Sequence, residues 1–66
     1  MLALKLARIS KGLTQEALHQ ISGVSKVSIC RIERHGIEKV PVITLRKLAK
    51  ALDTTVSKLF FSEEFK

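Results

Sequence analysis

Apolar residues recur along this chain at helical spacing, and polar caps and glycines cut the pattern into short pieces. Leu2, Leu6, Ile9 and Leu13 step by four, three and four residues, which predicts an opening helix with one apolar stripe. Gly12 stands near its end as a stop. Thr14 is a good N-cap, and Ala17, Leu18 and Ile21 give a second helix its expected buried face. Glu16 in its first turn suits the positive helix end. Ser22-Gly23 breaks this helix, because glycine takes the left-handed backbone conformation that reverses direction within a few residues. Ser25 caps a third helix expected from about Lys26 to Arg34, with Gly36 as its stop. Residues 35–43 read as a loop around Pro41. Thr44 is expected to cap a fourth helix with Leu45, Leu48, Ala49 and Leu52 on one face and Arg46, Lys47 and Lys50 on the other. Asp53-Thr54-Thr55 reads as a turn, and Thr55 caps a short fifth helix that turns Val56, Leu59 and Phe60 inward. No segment alternates as a strand would, so the fold class expected is all-α, one domain over residues 1–66.

The third helix divides most clearly. Each residue advances about 100° around a helix axis. With Lys26 at zero, Cys30, Arg34, Val27 and Arg31 fall at about 40°, 80°, 100° and 140°. Ile32 and Ile29 fall at roughly 240° and 300°, on the other side. The apolar back docks on a core, and the front presents two arginines, a lysine and two smaller side chains. That front suits a DNA major groove. Arg31 has a planar fork that can satisfy guanine O6 and N7 together, Lys26 can donate to the same acceptors, and Val27 offers methyl surface to thymine. Cys30 is small enough to let the backbone approach, as a substitute for serine, a reading preferred to a redox switch beside its cationic neighbours. Arg34, at the far end, points to a phosphate rather than a base. The alternative for all of these is a solvated basic face.

Charge sharpens the picture. The chain carries twelve Lys and Arg against six Asp and Glu, a formal net charge of +6. Residues 1–50 hold ten basic and three acidic side chains, so the excess lies with the helical pair rather than with the tail. A concentrated positive charge is what a phosphate backbone requires of its partner. One cysteine excludes an intramolecular disulfide and favours a reducing, cytoplasmic setting. No apolar run is long enough for a membrane span. His19 and His35 are isolated and expected at the surface, and no metal-ligand spacing, phosphate loop or catalytic pair stands out. The expectation is therefore no enzyme activity, no metal and no cofactor.

Leu13-Thr14-Gln15-Glu16, Ser22-Gly23-Val24-Ser25, Ile29, Arg31-Ile32-Glu33, Pro41, Thr44-Leu45 and Leu48-Ala49-Lys50-Ala51-Leu52 together resemble the Cro/phage-repressor (Xre) type of helix-turn-helix DNA-binding domain. The resemblance implies a five-helix, lambda-repressor-like bundle whose helix-turn-helix unit lies at about residues 14–34. It implies that Gln15 bonds a phosphate and braces the recognition helix, that Lys26, Val27 and Arg31 occupy base-reading positions, and that Arg8 and Glu33 form a charged pair. It also implies a homodimer on double-stranded DNA, reading a palindromic operator as a transcriptional regulator, repressor ahead of activator. The loop from Glu33 to Pro41 is longer than in close family examples, so Lys39 is a separate candidate for a phosphate contact there. Phe61 and Phe65 lie beyond the expected core and are candidates for the dimer surface. A second class of function is a module that turns the same helices to a protein partner, as an antitoxin-like subunit would. No small-molecule ligand is evident.

Overall fold

The computed structural model describes residues 2–61. Five helices follow one another: α1 (Leu2–Ser10), α2 (Gln15–Ser22), α3 (Lys26–His35), α4 (Val42–Ala51) and α5 (Val56–Phe60). The described residues contain no strand. Three of the four expected N-caps act through their side chains. Thr14 accepts from the Ala17 N–H, Ser25 from the Ser28 N–H and Thr55 from the Lys58 N–H, each satisfying one donor that the first helical turn leaves without a partner. Gly23 ends α2 at φ 78° and donates its N–H to the His19 carbonyl. Gly36 ends α3 at φ 96°, ψ −167°, a region open essentially to glycine alone.

Leu4, Leu18, Ile29, Ile32, Leu48 and Phe60 are the largest fully buried side chains, and Val24, Leu45, Ala49, Leu52 and Leu59 complete one core. α2 packs on α3 and α4, α1 packs on α3 and α5, and α4 packs on α5. The fourth and fifth helices bury the residues their spacing predicts, with Val56 half-buried against the core.

Three local expectations are corrected. First, α1 buries Leu4 and Arg8, with Ala7 packed partly against the core, while Leu2, Leu6 and Ile9 are 66%, 56% and 52% exposed. The expected stripe lies roughly 160° around the axis from Leu4. This helix offers two apolar faces, and the smaller one wins because Arg8 on it finds a partner on α3. Second, Ile21 is exposed, and α2 reaches the core through Leu18 with Ala17 half-buried. Third, α4 begins two residues before Thr44. Its N-cap is Pro41, whose fixed φ of −61° sets the entry and which makes no side-chain cap bond.

Candidate nucleic-acid interface

The turn between α2 and α3 is held from both sides. The Val24 N–H donates to Ser22 Oγ at 3.1 Å, and the His19 ring, through Nδ1, donates to the Val24 carbonyl at 2.8 Å. His19 is thus half-buried and bonded across the turn rather than a plain surface residue. Val24 itself is buried. The angle between the two helices is therefore fixed by backbone contacts at the turn as well as by side-chain packing.

A second clamp lies at the other end of α3. Arg8 Nε donates to Glu33 Oε2 at 2.7 Å, and Arg8 Nη2 to Glu33 Oε1 at 3.2 Å, a two-pronged contact. The third prong, Nη1, donates to the Leu13 carbonyl at 2.8 Å. Gln15 Nε2 donates to Glu33 Oε1 at 3.1 Å. The side chains of Arg8 and Glu33 are only 11% and 6% exposed. One carboxylate on α3 thus gathers α1 and the first residue of α2, and sets the position of Gln15 relative to α3.

With both clamps in place, α3 turns Lys26, Val27, Arg31 and Arg34 to solvent and leaves Cys30 half-buried, while Ile29 and Ile32 are wholly covered behind them. Gln15 joins these residues and His35 along one open groove of about 430 Å³. Lys39 does not enter it. It lies in the α3–α4 loop at φ 66°, in a neighbouring hollow of about 340 Å³ with Ser28, His35 and Thr44. Arg31 lines both hollows. Phe61 is 41% exposed after α5; Phe65 lies outside the described residues.

A helix-turn-helix family model matches residues 4–59. The chain belongs to the helix-turn-helix family, of Xre type. DNA binding and transcriptional regulation follow from that membership, and the family is one of DNA-binding regulatory domains rather than of enzymes. Comparison with curated proteins and with solved structures returned no match.

Two side chains of this helix-turn-helix domain escape a residue-by-residue reading of its sequence. Lys5 lines a third hollow, of about 320 Å³, with Gln15, Cys30 and Arg34, so α1 adds a cation beside the front of α3. Glu16 Oε1 pairs with Lys26 Nζ at 3.3 Å, and its Oε2 accepts from Gln20 Nε2 at 3.1 Å. The Gln20 hydrogen bond first, and Lys26 after it, hold the Glu16 carboxyl below its ordinary value. Only the geometry of the turn brings Glu16 to Lys26, so periodicity carries no sign of it. Among the described residues, no cluster of His, Cys, Asp and Glu could hold a metal ion, and no helix is long and apolar enough to cross a membrane.

The Glu33 carboxyl is also displaced. Burial works against its charge, but the donors from Arg8 and Gln15 outweigh burial, so it ionises below the ordinary value of 4.5. A carboxyl that ionises more readily in the folded chain stabilises the fold fully above its unfolded value. That contribution is lost as pH falls through the lower, folded value. Urea unfolding of the wild type should therefore give a midpoint that declines once pH drops below about 4.5. In Glu33→Gln the midpoint should be lower at pH 7 and the acid decline shallower. Parallel acid limbs in the two proteins would assign the decline to other carboxylates.

Proposed function

We propose that the domain represses transcription by binding a palindromic operator as a homodimer. Lys26, Val27, Cys30 and Arg31 read base edges in the major groove. Gln15, Arg34 and Lys39 hold phosphates, with Lys5 beside them. The observation that carries this reading is the shared groove: the start of α2 and the front of α3 open onto the same space, with no other segment of residues 2–61 lying over the exposed Lys26, Val27, Arg31 and Arg34 side chains.

The division of labour follows from chemistry. Phosphate contacts fix register and orientation, and base contacts choose the sequence. The leading N–H groups of α2 that Thr14 does not cap add attraction for an anion at Gln15, against which stands the Glu16 carboxylate of the same turn. Lys39 reaches a backbone from the α3–α4 loop, beside Arg31.

One module of this size makes few base contacts, so two copies are needed for selectivity. In a symmetric dimer the half-sites lie about 34–36 Å apart, one turn of the duplex. Exposed apolar surface at Phe61 and along the outer face of α1 supports self-association. The place of action is the cytoplasm, where bacterial, phage or plasmid DNA is found.

Selection of bound duplexes from a random pool tests the reading in one experiment. The expected result is an inverted repeat with a centre-to-centre spacing of about one helical turn, bound by two chains. An enriched site without two-fold symmetry would remove the dimer. No enrichment at any salt concentration would remove sequence reading.

A further inference from the structure

We propose that Glu16 is a specificity-determining residue that withholds the Lys26 ammonium from the DNA backbone. This inference rests on the reading of the α3 front as the DNA face. Glu16 belongs to α2 and Lys26 is the first residue of α3, so their 3.3 Å contact spans the turn of the motif. Both side chains are about half exposed, at 52% and 54%, and Lys26 lines the groove proposed for the duplex, so Glu16 reaches that groove through its pairing with Lys26. The carboxylate is held on both sides. Gln20, one turn along α2, fixes one oxygen, and Lys26 takes the other.

Lys26 otherwise has two possible destinations. A phosphate offers it a full negative charge and the release of condensed counterions, whatever the sequence. A guanine edge offers two neutral acceptors, O6 and N7, at one base pair only. Without restraint the phosphate is the stronger attraction, and Lys26 adds to binding on all DNA alike. Glu16 changes that balance in two ways. It supplies a charge that repels phosphates, so a backbone contact at Lys26 must bring a phosphate towards a carboxylate. It also occupies only one of the three ammonium donors, so Lys26 can remain paired and still donate to base acceptors. The pair therefore lowers affinity for random duplexes more than affinity for the correct site. Specificity gained by a built-in repulsion is the expected form when the attractive term is shared by every competitor.

The test compares wild type, Glu16→Gln, Lys26→Gln and the double variant on a random-sequence 20-bp duplex and on the duplex selected by the wild type. Glutamine keeps the size of residue 16 and its capacity to accept from Gln20. In Glu16→Gln, binding to the random duplex should rise about three- to tenfold at 50 mM salt. Its slope of log affinity against log salt should steepen by about 0.9 for each bound chain, the value of one added phosphate contact per chain. Binding to the selected duplex should rise less, so the ratio between the two falls. In the Lys26→Gln background, Glu16→Gln should leave the slope unchanged. Equal slopes in wild type and Glu16→Gln overturn the proposal, as does a steepening that persists without Lys26, which makes Glu16 a general negative charge. Wild-type protein that binds neither duplex overturns the DNA reading as well; wild-type binding with an unmoved slope overturns this inference alone.

Discussion

Arg8→Ala should destabilise the fold by about 3 kcal/mol at neutral pH, enough to move the thermal midpoint by roughly 12–24 °C in a domain of this size. The truncation removes both bonds to Glu33 and the bond to the Leu13 carbonyl. It takes the guanidinium away from a largely covered carboxylate that Gln15 still contacts. Breaking a covered pair costs more than the pair itself contributes, because the remaining charge loses its compensation. Domains of this length have a total stability of only about 3–10 kcal/mol, so the variant stands near the limit of folding. Arg8→Met, which keeps the aliphatic stem, isolates the charge from the packing. Combining it with Glu33→Gln should recover most of the loss, since no carboxylate is then stranded. The readout is urea unfolding of each single variant and of the pair, at pH 7 and again in acid. A loss under about 1 kcal/mol in Arg8→Ala is what a surface pair gives, and would mean that solvent already screens this contact. The same variants test a functional link. Arg8 fixes the Glu33 carboxylate that holds Gln15 beside α3. With the guanidinium gone that carboxylate is less constrained, so at a temperature where Arg8→Met is folded its DNA affinity should also decline.

This pair also marks where the sequence is readable and where it is not. The boundaries of α2, α3 and α5 are legible because Thr14, Ser25 and Thr55 cap them by local bonds, and Gly23 and Gly36 end helices by local backbone geometry. The start of α4 is not, because Pro41 leads in through its ring constraint while Thr44 offers a more familiar but unused cap. The faces of α3 follow directly from its spacing, since Ile29 and Ile32 share one side and Lys26, Arg31 and Arg34 the other. α1 presents leucines on two sides, and a pattern that scores arginine as polar selects the wrong one. What decides its orientation is Glu33, twenty-five residues away. The candidate site divides the same way. Residues on α3 are found by their angle around one helix. Lys5, Glu16 and His19 join the site or its supports only because three helices and a turn bring them there.

Arg31→Ala should cost about 1–3 kcal/mol per half-site against the correct base pair, and it should make the protein indifferent to that position. In a symmetric dimer both copies lose the contact, so the selected operator should weaken by about 2–6 kcal/mol in total. Random duplexes should weaken far less. Arg31 is the side chain for which this outcome is most informative, because it lines both the α3 groove, proposed to meet base edges, and the hollow holding Lys39, proposed to meet the backbone. The guanidinium fork matches either two phosphate oxygens or O6 and N7 of guanine. Among the bases only guanine offers that pair, so only base reading makes the fork's loss specific to one base pair. Arg31→Lys separates these roles. A lysine retains the charge but loses the fork, so a base-reading Arg31 predicts lost discrimination with little change in salt slope. Arg34→Ala provides the opposite signature: similar weakening on every duplex and a slope shallower by about 0.9 for each bound chain. The measurement is binding of each variant to the operator and to its single-base-pair substitutions, across a salt series. If Arg31→Ala weakens all of these duplexes equally and flattens the slope as Arg34→Ala does, Arg31 belongs to the phosphate grip, and base reading falls to Lys26, Val27 and Cys30.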